Sequence, residues 1–74
     1  MNEHDIAVLT RSLPEYGLEA GDVGAIVFVH DGGKAYEVEF VSGSGATIAV
    51  VTLEAKDVRP VATSEIFHVR SVPV

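Results

Sequence analysis

Seventy-four residues allow one domain, with no cysteine to staple it and a formal charge of −6 from eleven acidic against five basic side chains. A domain this small buries about 60% of the surface its unfolded chain exposes, so its stability is marginal unless something adds to it. The lack of cysteine excludes disulfides and thiolate chemistry and fits a reducing compartment, and the scattered cations Arg11, Lys34, Lys56, Arg59 and Arg70 disfavour nucleic acid and anionic membranes as partners.

No apolar run approaches the roughly 20 residues needed to span a bilayer, and Met1-Asn2-Glu3-His4-Asp5 lacks the basic start of a signal peptide, so a cytoplasmic protein is expected. Ile6-Ala7-Val8-Leu9 has the length of a first strand rather than a helix. Residues 10 to 20 follow as a long loop folded over one end of the domain, because Pro14 holds Leu13 extended and Gly17 ends the excursion. Gly21 and Gly24 then allow a tight corner from which a β-branched run leaves as the second strand, about Gly24 to His30.

The best turn signal in the chain is His30-Asp31-Gly32-Gly33-Lys34, where Asp-Gly and Gly-Gly pairs supply the positive φ angles of tight hairpins. The third strand, Ala35 to Val41, alternates Tyr36, Val38 and Phe40 with Glu37 and Glu39, which predicts one core face and one charged face. Ser42-Gly43-Ser44-Gly45 is a flexible connector, and Ala46 to Leu53 a fourth, β-branched strand. Glu54 to Asp57 forms a helical or 3-10 turn, and Val58 to Val61 a short fifth strand with Pro60 at an edge or end. Five short strands with such a turn before the last describe an all-β, SH3-like barrel over residues 1 to 61. Residues 62 to 74 remain, and Ile66-Phe67-His68-Val69-Arg70-Ser71-Val72 is apolar enough to predict a sixth strand.

The second and fourth strands do not alternate cleanly. Ile26 and Phe28 are expected on one face, with Ala25, Val27 and Val29 on the other; Ile48 and Val50 likewise oppose Ala49, Val51 and Leu53. Strands apolar on both faces are usually covered on both, which so small a domain cannot do alone. The expected covering is a second copy of the chain, with Phe28, Val50, Ile66, Phe67 and Val69 at the interface; the alternative is the C-terminal tail folded back on its own barrel.

Asp5-Ile6-Ala7-Val8-Leu9, Leu13-Pro14-Glu15-Tyr16-Gly17-Leu18, Gly21-Asp22-Val23-Gly24-Ala25-Ile26-Val27, Tyr36-Glu37-Val38-Glu39-Phe40 and Val58-Arg59-Pro60 fall in an order and spacing that resembles the bacterial family DUF4926. The likeness covers about residues 4 to 61 and implies a small SH3-like barrel with no assigned activity, cofactor or catalytic residue. More loosely, Gly21-Asp22-Val23-Gly24-Ala25-Ile26 is similar to the opening turn of KOW-type segments, which carry basic residues for RNA where this chain has Glu19 and Asp22.

Chemistry-bearing residues are sparse. His4, His30 and His68 come from distant segments without a ligand spacing, so no metal is expected. Glu37 and Glu39 share a strand face that could hold a carboxylate pair, but a solvated face explains them more simply. The serines lack a base and an elbow, and Gly43 and Gly45 precede no lysine or helix start, so neither a nucleophile nor a phosphate loop is read. Tyr16 is expected as a lid on the barrel end. The resulting expectation is a non-enzymatic, self-associating interaction module without cofactor. The alternative is a small-ligand binder, or an accessory subunit of an enzyme or toxin system, with Tyr16, Glu37, Glu39 and His68 lining a pocket between copies.

Overall fold

In the computed structural model, which describes residues 1–72, five strands form in chain order: β1 (Ile6–Leu9), β2 (Val23–His30), β3 (Ala35–Val41), β4 (Thr47–Glu54) and β5 (Val58–Arg59). Short 3-10 turns occupy Pro14–Tyr16 and Ala55–Asp57. Every paired neighbour is antiparallel, in the order β4-β3-β2-β1-β5. The all-β architecture and the 3-10 turn before the fifth strand are as expected. The barrel is only approximate, because β4 and β5 are the two edges of one sheet and do not pair with each other.

Strict alternation in β3 decides which side of the sheet is inside. Tyr36, Val38 and Phe40 are buried, and they pack with Ala7, Leu9, Ile26, Val51, Leu53 and Val58 in a single core. Leu13 and Leu18, joined to each other by an isolated bridge, close one end of it at 2% exposure each. Tyr16, expected as the lid, is instead 45% exposed, because the two leucines already fill the end.

Two bulges reset the faces of the outer strands. Ile26 pairs with Val38, but Phe28 pairs with Glu37, so Val27 is an extra residue and every side chain after it changes sides. Phe28 therefore lies on the outer face, 50% exposed, while Val29 turns back against the core. The expectation that Ile26 and Phe28 share a face is corrected by that one inserted residue. In β4, Phe40 pairs with Ala49 and Val41 with Thr47, which leaves Ile48 as the extra residue. Ile48 packs against the core and Val50 faces outward, again separating two residues that simple alternation puts together.

The β2–β3 turn has the predicted chemistry, with Asp31 at φ 48° and Gly32 at φ 68°. Gly24 serves a different purpose from the expected one, since it needs space rather than an unusual torsion. A Cβ there would lie 2.7 Å from Val38 Cγ1 and 2.8 Å from the Glu39 carbonyl oxygen. The glycine lets β2 press against β3 at the centre of the core.

The loop after β1 is fastened to the second 3-10 turn. Thr10 donates its N–H to the Asp57 carbonyl at 2.9 Å and its hydroxyl to the Lys56 carbonyl at 3.0 Å. Arg11 Nε donates to the buried Asp57 carboxylate at 3.1 Å.

The predicted fifth strand ends two residues early, at Arg59, because Pro60 has no N–H to extend the ladder. The predicted sixth strand does not form. Residues 62–72 contain a turn at Thr63–Ser64 and otherwise run without ladder pairing, because ion pairs rather than strand hydrogen bonds set the tail's path. Pro73 and Val74, the last two residues of the tail, lie outside the described residues.

Replacing Gly24 with Ala is expected to destabilise the domain by about 1–3 kcal/mol through overpacking. A urea melt followed by circular dichroism checks this, with a lowered midpoint expected. An unchanged midpoint would mean that β2 and β3 can separate without loss.

Candidate functional site

The side chain with the most consequential contacts is Asp22, on the turn that leads into β2. That turn is built by local bonds. Asp22 donates its N–H to the Glu19 carbonyl at 3.0 Å, Gly21 takes φ 95°, and Gly21 donates its N–H to the Leu9 carbonyl at 2.8 Å. The Asp22 carboxylate accepts the Glu19 N–H at 2.8 Å. It is thereby held in one orientation.

Into this carboxylate comes Arg70, 48 residues later in the chain. Its Nε donates to one carboxylate oxygen at 2.8 Å and its Nη2 to the other, a two-pronged contact that suits the planar guanidinium. Nη2 also donates to the Gly17 carbonyl at 3.0 Å, and the Glu19 carboxylate lies 3.5 Å from Nη1. The arginine contact holds the Asp22 carboxyl below its ordinary range against the opposing effect of burial, and the same pairing raises the Arg70 guanidinium.

A second ion pair fixes the base of the tail. Arg59 donates to both carboxylate oxygens of Glu65 at 2.7 and 2.6 Å, and Glu65 also accepts the Ala62 N–H at 2.6 Å. Between these two anchors the apolar side chains are left in water, with Ile66 and Val69 90% exposed and Phe67 60% exposed. Beneath the tail runs an open groove of about 540 Å³ whose floor includes Leu18, Val23, Phe40 and Ile48.

The outer face of the sheet carries a separate cluster. Glu37 accepts the Thr52 hydroxyl at 2.7 Å and faces His30 Nε2 at 2.6 Å. The hydroxyl first, and the imidazole second, lower the Glu37 carboxyl from its ordinary value. Phe28 meets the His30 ring edge-on with centroids 4.8 Å apart. Glu39 accepts the Thr47 hydroxyl at 2.7 Å, and Val50 stands exposed opposite it. The threonines hold both carboxylates toward the edge strand. No nucleophile stands beside the imidazole in this cluster, since Thr52 bonds the carboxylate and not the histidine.

The five residues expected at an interface are all exposed in the single chain, but they form two groups, with Phe28 and Val50 on the sheet and Ile66, Phe67 and Val69 on the tail. The four expected to line a pocket are dispersed. Tyr16 lies on the first 3-10 turn, Glu37 and Glu39 on the outer sheet face, and His68 in the tail groove, whose lining includes none of the other three. Asp22 and Arg70 were not singled out from sequence. The one available signal was an arginine in an apolar stretch, and nothing local marks which carboxylate it meets. Among the described residues, no three His, Asp or Glu side chains converge on a point where a metal could sit, and no helix is long and apolar enough to cross a membrane.

The sequence model of a family described as a domain of unknown function, DUF4926, matches residues 3–60. No curated protein and no solved structure matches the chain. The tail with its two anchoring partners, Glu65 and Arg70, lies beyond the matched span.

The pairing with Arg59, and then the Ala62 N–H, draw the Glu65 carboxyl down to about 2. The folded value lies below the unfolded one, so this contact contributes fully above the ordinary carboxylate range and is lost as pH falls through that range toward 2. A carbon-detected NMR titration of the Glu65 carboxyl is expected to give a midpoint near 2, returning to the ordinary range in Arg59→Gln. An ordinary midpoint in the unaltered protein would show that the turn at the base of the tail is open.

Proposed function

The chain belongs to the DUF4926 family, and from that premise we propose that it is a non-enzymatic protein-interaction module that associates with copies of itself through residues 62–74 and the apolar outer face of the sheet. The observation that carries this reading is the tail, where Ile66 and Val69 are 90% exposed in a segment fixed by polar anchors. An extended segment that buries its apolar residues has a reason to stay in place, and this one leaves them uncovered.

The energetics are of the right size. Covering a large apolar side chain is worth about 1.5–3 kcal/mol, so Ile66, Phe67 and Val69 from two copies contribute on the order of 10 kcal/mol. Association costs about 4–15 kcal/mol in lost freedom. The exposed Phe28 and Val50 add to the balance where the outer faces meet. Charge supports a protein as partner rather than a nucleic acid, because Arg11, Lys56, Arg59 and Arg70 already face Asp57, Glu54, Glu65 and Asp22. We place the module in the cytoplasm, where a chain without cysteine loses nothing.

Light scattering after gel filtration, at rising concentration, tests the reading on the full chain and on one ending at Val61. The full chain is expected to have at least twice the monomer mass, and the shortened chain to lose it. Ile66→Ser combined with Val69→Ser is expected to give a folded monomer whose thermal midpoint equals that of the unaltered chain diluted until it is monomeric, since both side chains are in water in the single chain. Monomers throughout would remove the proposal.

A further inference from the structure

We infer that Gly17, Glu19 and Asp22 form an arginine-reading pocket, and that in the associated state its occupant is Arg70 of a second copy, exchanged reciprocally between two chains. The inference rests on the self-association proposed above and specifies the contact that makes it.

The pocket is assembled without the tail. Bonds from Asp22 to Glu19, from Gly21 to Leu9 and from the Ala20 N–H to the Ser12 hydroxyl at 3.1 Å fix the turn from within residues 9–22. These contacts orient the Asp22 carboxylate and the Gly17 carbonyl before any arginine arrives. What they present is two carboxylate oxygens and a carbonyl oxygen on one side, with the Glu19 carboxylate behind. A planar, two-pronged cation fits that arrangement, and a lysine ammonium does not reproduce it.

The occupant follows from what the tail leaves undone. When Arg70 docks in its own chain, Ile66 and Val69 remain 90% exposed, so the polar contact is complete while the apolar one is missing. Exchange between two chains keeps every polar contact and places each apolar tail against the other copy. Among the described residues, no hydrogen bond involves residues 66–69, which makes that stretch the part of the tail free to swing. Swapping an identical element in this way is a low-cost route to a closed dimer. Charge at the pocket is unchanged by it, since each Asp22 faces one Arg70 whether the tail is its own or the partner's.

Charge-reversed chains test the exchange. Asp22→Arg and Arg70→Asp are each expected to be folded by circular dichroism and monomeric by native mass spectrometry, because like charges then meet at the pocket. Mixed one to one, they are expected to form a heterodimer at least tenfold more abundant than either homodimer, since each tail then finds its opposite charge in the other chain. Arg70→Lys placed in the Asp22→Arg chain, which keeps the charge and loses the fork, is expected to weaken the heterodimer about tenfold (~1.4 kcal/mol), because neither separate chain can make that contact within itself. A mixture that stays monomeric while the unaltered chain associates would overturn the exchange and leave self-association standing on another surface. An unaltered chain that never associates would remove both. A heterodimer undiminished by Arg70→Lys in the Asp22→Arg chain would overturn the arginine-reading pocket itself.

Discussion

The carboxylate of Asp22 joins three parts of the molecule that sequence keeps apart. It closes the turn that starts β2 by accepting the Glu19 N–H, and the same residue's carbonyl takes the Leu9 N–H at 2.9 Å, continuing the β1–β2 ladder. Its outer side receives Arg70 and so fixes the tail. A small acidic chain has few means of ordering residues 62–72 beyond its core, and a guanidinium paired with an oriented, mostly buried carboxylate is the means used here. The consequence is a tail positioned by charge, with its apolar residues still available.

The outer sheet face has a related character. An inserted residue at Val27 turns Phe28 out of the core to stand over His30, beside a Glu37 held by Thr52. That face combines exposed apolar groups with oriented carboxylates. Two such faces meeting squarely would place carboxylates near carboxylates, so it is suited to an offset contact or to the margin of an interface. The tail, which contributes apolar groups and a cation, is better suited to the centre.

Sequence made the sheet legible where local rules are strong. The alternation Tyr36, Val38, Phe40 set the inside of the domain, and Asp31-Gly32 marked the hairpin because only residues tolerant of positive φ fit there. It failed where one residue changes the count. A bulge leaves no mark in an apolar run such as Ile26-Val27-Phe28-Val29, so Phe28 was assigned the face of Ile26, and Ile48 was grouped with Val50 for the same reason. The tail read as a strand because its composition is that of a strand, yet what places it is a contact between residues 22 and 70, a distance over which no local pattern operates. The exposed apolar residues were legible from their surplus of apolar character, whereas the contact between Asp22 and Arg70 was not.

The most direct test of the account is an isotope-filtered NOE experiment on a mixture of carbon-labelled and unlabelled chains. The account predicts intermolecular contacts between the tail methyls of Val69 and Val72 in one copy and Leu18 and Val23 in the other, beside the turn that holds Asp22. Contacts from the tail to Leu18 and Val23 arising only within a single chain, in a sample shown to be associated, would contradict it.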